Sequence, residues 1–283
     1  MDQIAPEVYG SLNYAPKKFA AQSLIILGSQ NRLFDTIVDI GCGDGGVTKE
    51  LAQKLRHRQL VAVDVDPAMT AYAQQTNPEE SIQYKTQDVS AAWDELSEDI
   101  RALEGKVTLI FSNFVLHYIR DKSRLVANFS RLLTTAGAGG CIHANIFIPA
   151  DLNRKLPVSE RAGHWTEATA NDRQIQAWRQ ALSDSGLRVD KFEIIDDVWR
   201  MSRKEMIDFL PVLIHDFRPF FESGDRFEAE VKVLANTVFE AYCSPRDDEP
   251  NPNAWTQFTA DESPAAEAGI QLNILRLVAI KKS

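Results

Sequence analysis

No stretch of the 283 residues is apolar and uninterrupted for long enough to cross a bilayer, which takes about 20 residues. Cysteine is scarce: Cys42, Cys141 and Cys243 are odd in number, far apart and without Cys-x-x-Cys spacing. That argues against a disulfide framework or a zinc knuckle and fits a reducing compartment. Positive charge is in deficit, with 31 Lys and Arg against 40 Asp and Glu, a net charge of −9. An acidic surface repels phosphate backbones, so a nucleic-acid partner is not expected. The densest basic stretch, Lys54 to Arg58, reads as a solvated helix end. Besides His117, the histidines are His57, His143, His164 and His215; they show no ligand spacing, so no metal is predicted. The opening Met-Asp-Gln-Ile-Ala-Pro-Glu lacks a basic region followed by an apolar run. Together these absences predict a cytoplasmic protein, monomeric or homodimeric, with neither leader nor membrane span.

What is present is ordinary globular composition, 44% apolar and 25% charged, arranged in a regular alternation. Leu12 to Ser29 reads as a helix with Phe19, Ser23, Leu24 and Leu27 along one side. Strands are expected over Thr36 to Ile40, Leu60 to Val65, Ile82 to Thr86, Val107 to Ser112 and Cys141 to Ile148. Between them, Thr48 to Leu55 reads as a helix, Pro67 suits a first helical turn, and Asp121 can cap a helix carrying Leu125, Phe129, Leu132 and Leu133. Strand and helix in strict alternation predict a parallel sheet with right-handed crossovers. After Pro149 the rhythm changes. A helix from Asn171 with Ile175, Trp178 and Leu182 on one face is followed by a sixth strand, Arg188 to Val198, and a last one, Ile270 to Lys281. Between these, residues 201–267 are rich in aromatics, prolines and acids and read as a helical cap; Ser244 to Asn253 reads as an exposed loop. The expectation is one α/β domain over residues 1–283: a helical gate (1–35), a ligand-binding core (36–148) and substrate-side helices (149–283). The sheet is doubly wound, Rossmann-like, seven-stranded and mostly parallel.

The densest chemistry lies in Val38-Asp39-Ile40-Gly41-Cys42-Gly43-Asp44-Gly45-Gly46, between the first strand and its helix. Glycines permit a tight turn and close approach of a ligand, and the helix N-terminus favours anionic groups. G-x-G-x-x-G alone also fits nicotinamide and flavin enzymes. Three acids narrow it. Asp39 lies two residues before the first glycine, Asp64 closes the second strand 23 residues after Gly41, and Asp88 follows the third strand. Taken singly, each acid can merely cap a helix, and for Asp44 and Asp66 a capping or solvated role is preferred. Three acids at three successive strand ends fall in the crevice where such sheets bind ligands.

On these residues, over Thr36 to Ile148, the chain resembles the class I S-adenosylmethionine-dependent methyltransferases. The resemblance implies roles. Gly41, Cys42 and Gly43, with Asp39, would hold the methionyl part of the cofactor. Asp64, with Val65 beside it, would take the ribose; Asp88 and the Val89 N–H would read the adenine edge. Ser112-Asn113-Phe114 would lie under the cofactor. Lys18 would meet the cofactor carboxylate or simply face water.

The segment Leu116-His117-Tyr118-Ile119-Arg120-Asp121 looks like juvenile-hormone-acid O-methyltransferases and, more loosely, trans-aconitate methyltransferases. It departs from the former at Tyr118, usually tryptophan, and at Pro16, usually glutamine. His117 is the candidate acid/base or acceptor anchor, or else a histidine that holds its loop. Tyr14, Tyr118, Trp199 and Trp255 can line an acceptor pocket or belong to ordinary packing; Trp178 sits at core spacing. The implied reaction is methyl transfer to a small molecule, with a carboxylate as the leading acceptor. The alternatives are a hydroxyl or amine acceptor, and a non-catalytic cofactor-binding regulator.

Overall fold

The computed structural model describes residues 6, 14–148, 171–202 and 267–281. Helix α1 (Tyr14–Ser29) precedes strand β1 (Phe34–Ile40), and then strands and helices alternate: α2 (Gly46–Lys54), β2 (His57–Asp64), α3 (Pro67–Thr76), β3 (Ile82–Thr86), the single turn α4 (Glu98–Arg101), β4 (Leu109–Asn113), α5 (Lys122–Leu132), β5 (Cys141–Ile148), α6 (Asn171–Asp184), β6 (Arg188–Ser202) and β7 (Glu267–Ile280). The sheet runs β3-β2-β1-β4-β5-β7-β6. β1 pairs in parallel with both β2 and β4, β2 with β3, and β4 with β5. The order reverses at β1, so a crevice opens between the carboxyl ends of β1 and β4, the switch point of such sheets.

All but one residue of β1, and every residue of β4, is buried, as expected for strands covered on both faces. Alternation still sorts the side chains. Val38, Ile40, Val61, Val63, Ile110, Ile142 and Ala144 pack with Leu125, Phe129, Trp178 and Leu182 of α5 and α6. Ile37, Leu60, Ala62, Leu109 and Phe111 pack with Leu24 and Leu27 of α1 and Leu51 of α2.

Element identities agree with the sequence reading, and the boundaries shift. β1 and β2 start earlier, at a Phe34–His57 pairing. β2 ends at Asp64, which leaves Val65 beyond the strand and 65% exposed. β4 starts at Leu109; Val107 instead makes an isolated parallel bridge to Leu133. β6 runs to Ser202, past the expected Val198, and β7 starts at Glu267. Asp66 and Asp121 cap their helices as expected, accepting from the Ala68 and Arg124 N–H groups at 2.8 and 2.9 Å. The expected cap, with His164, His215, Cys243, Trp165 and Trp255, lies outside the described residues, as do the side chains of Tyr14 and Trp199.

The chain divides into two compact units: residues 1–148, 171–195 and 274–283, and residues 149–170 and 196–273. No helix among the described residues is long and apolar enough to cross a membrane.

Candidate functional site

Two constructions occupy the carboxyl ends of the central strands. The first is the turn from β1 into α2. Gly41, Gly43 and Gly45 all take positive φ (75°, 53° and 79°), a region closed to most side chains. A Cβ on Gly41 would stand 2.2 Å from a Val115 methyl carbon. The Gly41 and Cys42 N–H groups both donate to the Val63 carbonyl, at 2.7 and 3.0 Å, which locks the turn onto β2. Asp64 completes it: its carboxylate accepts from the Gly43 N–H at 2.9 Å and the Asp66 N–H at 3.0 Å. Asp39 points the other way, toward α2, and accepts from the Thr48 hydroxyl at 2.6 Å.

The electrostatics of this turn are unusual. Burial pushes the Asp39 carboxyl up to about 7, against the Thr48 hydrogen bond, with Asp64 adding to the rise. Burial raises Asp64 too, against the backbone N–H bonds it accepts. The Cys42 thiol, buried beside both, stays protonated. Two carboxylates with no cation paired to either among the described residues make a site that favours a positively charged ligand. Asp44 instead accepts from the Gly46 N–H at 3.0 Å, closing the turn.

The β3 end sits beside this turn, since the Gln87 N–H donates to the Asp64 carbonyl at 2.8 Å. Asp88 is exposed, with one oxygen accepting from both the backbone N–H and the hydroxyl of Ser90. Val89 is buried, and its carbonyl accepts from the Asn128 amide at 3.0 Å.

The second construction follows β4. Phe114 holds a positive φ of 59°, a strained state for a residue with a side chain. Its N–H donates to the Asn145 carbonyl at 2.8 Å, and its ring meets Phe19 of α1 at 5.6 Å. A single tight turn, Leu116–Tyr118, then presents His117. The His117 ring lies 4.1 Å from Tyr118 and edge-on to Phe147 at 5.6 Å. Its Nδ1 is buried without a hydrogen-bond partner among the described residues. Burial, aided by the Lys122 charge, pushes the ring down to about 3, so it is neutral. Tyr118 is 51% exposed. Lys18, in the first turns of α1, is half-buried. The Asn113 side chain is committed on both sides, accepting from Asn145 and donating to the Pro16 carbonyl of α1, each at 2.9 Å.

The structure thus brings Asp39, Gly41, Cys42, Gly43 and Asp64 into one cluster, with Asp88 and Val89 on the adjoining strand end and His117 and Tyr118 across the crevice beyond β4. Sequence reasoning missed Ser23, Gln22, His143, Asn145 and Arg276, which meet under α1. The available signal was a polar side chain at alternate positions of otherwise apolar runs: His143 and Asn145 in CIHANIFI, and Arg276 in ILRLVAI.

Comparison with known proteins agrees with this geometry. Residues 38–138 match the model of a methyltransferase domain. A trans-aconitate 2-methyltransferase of Azoarcus sp. is 30% identical over 220 residues, 75% of this chain and 81% of the relative. Juvenile hormone acid O-methyltransferase of Bombyx mori is 29% identical over 143 residues, and the chain spans about half of that relative's length (48%). Among solved structures, the YcgJ protein of Bacillus subtilis superposes with a TM-score of 0.55 at 13% identity, covering 93% of this chain and 99% of that one. A Haemonchus contortus phosphoethanolamine N-methyltransferase, solved with S-adenosylhomocysteine, gives 0.51 at 13% identity, covering all of this chain and 61% of that one.

Proposed function

The chain belongs to the class I S-adenosylmethionine-dependent methyltransferases, and from that premise we propose that it methylates a carboxylate oxygen of a small organic acid. The observation that carries the proposal is the state of His117. A ring pushed down to about 3 is a very weak base at neutral pH. General base catalysis works best with a group whose pKa lies near the working pH. A hydroxyl or protonated amine needs such a base. A carboxylate, with a pKa of about 4, is already ionised and needs only to be positioned and shielded from water. A neutral imidazole with an unspent Nδ1 suits the positioning role, as acceptor anchor.

The residues present fit the cofactor. Gly41 and Gly43 carry no side chain and are only part-buried, so a ligand can approach their backbone. The buried Asp39 and the part-buried Asp64 match a ligand bearing a sulfonium and an ammonium. When bound, S-adenosylmethionine supplies a methyl group on a positively charged sulfur, already a good electrophile. In this reading Asp39, Gly41, Cys42 and Gly43 hold its amino-acid part, with Lys18 facing the carboxylate. Asp64 and Val65 take the ribose, and Asp88 and the Val89 backbone take the base. Asn113, its amide committed elsewhere, contributes by holding the floor and α1 in place. His117 and Tyr118 face the acceptor.

The test is incubation with methyl-labelled cofactor and a panel of organic acids, alcohols and amines. The expected product is a methyl ester, so the label is released by mild alkali, and the rate shows no ascending limb near pH 6.5. An alkali-stable label, formed at a rate that rises through that region, would replace the carboxylate with a hydroxyl or amine.

A further inference from the structure

Alternation along the strands places Asn113 of β4, His143 and Asn145 of β5 and Arg276 of β7 on one side of the sheet, where Gln22 and Ser23 of α1 meet them. All four strand residues are buried. Arg276, 6% exposed, donates from Nε to Asn145 Oδ1 at 3.3 Å and from Nη2 to Gln22 Oε1 at 2.8 Å. No carboxylate among the described residues stands within ion-pair distance of it; Glu193 of β6 acts on it only from further away. Burying a cation without a close counter-charge is expensive, and a buried polar network persists when its members are mutually satisfied.

The chemistry of the guanidinium gives this network a direction. Arginine only donates, whereas an amide can present either edge. Facing Arg276, Asn145 must offer its oxygen. Its amino group is thereby turned to the Asn113 oxygen (2.9 Å), the Ser23 hydroxyl (2.9 Å) and the Phe19 carbonyl (3.3 Å). Asn113, with its oxygen engaged, turns its own amino group to the Pro16 carbonyl at 2.9 Å. His143 Nε2 meets the Ser23 hydroxyl from the other side, at 2.9 Å. Each link leaves the next a single orientation, and the chain ends on the first turn of α1.

We infer that Arg276 is a positioning residue for methyl transfer: it sets the polarity of a hydrogen-bond chain from β7 through β5 and β4 to Pro16, and so pins the first turn of α1 beside the strand ends. The inference rests on the proposed function for where the reaction happens; the hydrogen-bond chain stands without it. Arg276 lies at the far end of the chain and touches neither cofactor nor acceptor in this reading.

The decisive pair of variants is Arg276→Gln and Arg276→Lys. Glutamine is shorter and can present either edge, while lysine keeps most of the reach and a donors-only group. Loss of about one net hydrogen bond corresponds to about a tenfold change. Arg276→Gln is therefore expected to speed amide exchange in α1 about tenfold and to raise the acceptor KM by a similar factor, with exchange in β1 and β4 and the value of kcat little changed. Arg276→Lys is expected to restore most of both. Asn113→Asp, of the same shape but with no N–H for the Pro16 carbonyl, should loosen α1 equally, and the double variant should be no worse than either single one, as for links in one chain. If Arg276→Gln fails to fold, Asn113→Asp carries the test alone. Unchanged α1 exchange in the folded variants would overturn the inference, as would Arg276→Lys behaving no better than Arg276→Gln. Titration of the wild type with S-adenosylhomocysteine is read separately: failure to bind defeats the functional reading, while the exchange result still decides the relay.

Discussion

The two ends of the central crevice are built from opposite chemistry. At β1 and β2 the ionisable groups are carboxylates, the buried Asp39 and the part-buried Asp64, set in a turn of glycines and held by neighbours within 25 residues. At β4, β5 and β7 they are amides, an imidazole and one guanidinium, drawn together from positions up to 254 residues apart. A carboxylate pair without a cation is poised for a charged ligand to complete it. An amide network satisfied within itself has nothing left to bind, and serves to hold backbone in place. One end therefore receives a ligand, and the other fixes the wall beside it.

The change expected to do most damage strikes where the two ends touch. Gly41 belongs to the carboxylate turn, yet a Cβ there would press to within 2.2, 2.6 and 2.8 Å of three Val115 side-chain atoms, beyond β4. The φ of 75° adds strain for any side chain, of about 1–3 kcal/mol. Gly41→Ala should stay folded by circular dichroism, because the strain falls on one turn while both hydrophobic clusters keep their side chains. Calorimetry should find its affinity for S-adenosylhomocysteine reduced about 100-fold or more, from that strain together with the displaced Val115. An affinity within a few-fold of wild type would show that the two ends are independent and that the turn does not bind the cofactor closely.

The same contrast explains what was legible in the sequence. The glycine loop could be read because its residues are contiguous and their spacing has a mechanical meaning: Asp39 and Gly41 share one strand end, and Asp64 closes the next. The doubly wound, mostly parallel sheet followed from the alternation of elements; the order of its strands did not. The amide end could not be read, since nothing local links Ser23 to His143 or Gln22 to Arg276; only the folded sheet does. Asn113 was legible as a position, at the end of β4. Its side-chain duty toward Pro16 was not, because that depends on where α1 lies. The strain at Phe114 was also invisible, since no glycine marks the positive φ.

A pH experiment sharpens the comparison, because the two ends respond with opposite sign. Asp39 is held at about 7, above its ordinary value of 3.8, so the folded chain binds that proton more tightly than the unfolded one. Its contribution to stability is complete below about pH 4 and is lost as the pH rises through 7. The histidines behave the other way. His143, pushed down to about 4 by burial and then by Arg276, contributes stability that is present above about 6.5 and lost as the pH falls toward 4. Comparing wild type with Asp39→Asn isolates the carboxylate end. Without cofactor, the variant should gain about 2–4 kcal/mol relative to wild type between pH 4 and pH 8, at about 1.4 kcal/mol per pH unit of displacement. Denaturant unfolding at several pH values reads this directly. A difference independent of pH would mean that the Asp39 carboxyl is already ionised and that this end carries no charge frustration.

The smallest effect is expected at His117, and its smallness is the point. If the acceptor is a carboxylate, no proton leaves it, and the imidazole needs only to hold its place. His117→Asn keeps a polar side chain near the Nδ1 position and removes any capacity to act as a base. Turnover should then stay within about tenfold of wild type, against the 10²–10⁴-fold that a lost general base typically costs. The wild-type rate should show no limb near pH 6.5, because a ring pushed down to about 3 does not titrate there. Stability gives an independent reading. A histidine whose folded pKa is depressed contributes stability present above about 6.5 and lost as the pH falls toward 3, so the variant should resist acid better than the wild type over that interval. If the acid response changes as expected while turnover survives, His117 is both buried and neutral and still not the base. If turnover falls by two orders of magnitude with cofactor affinity intact, and an ascending limb seen in the wild type disappears, then the acceptor carries a proton that His117 must take. The anchor beyond β4 would in that case be chemically active, and the division between a receiving end and a holding end would fail there.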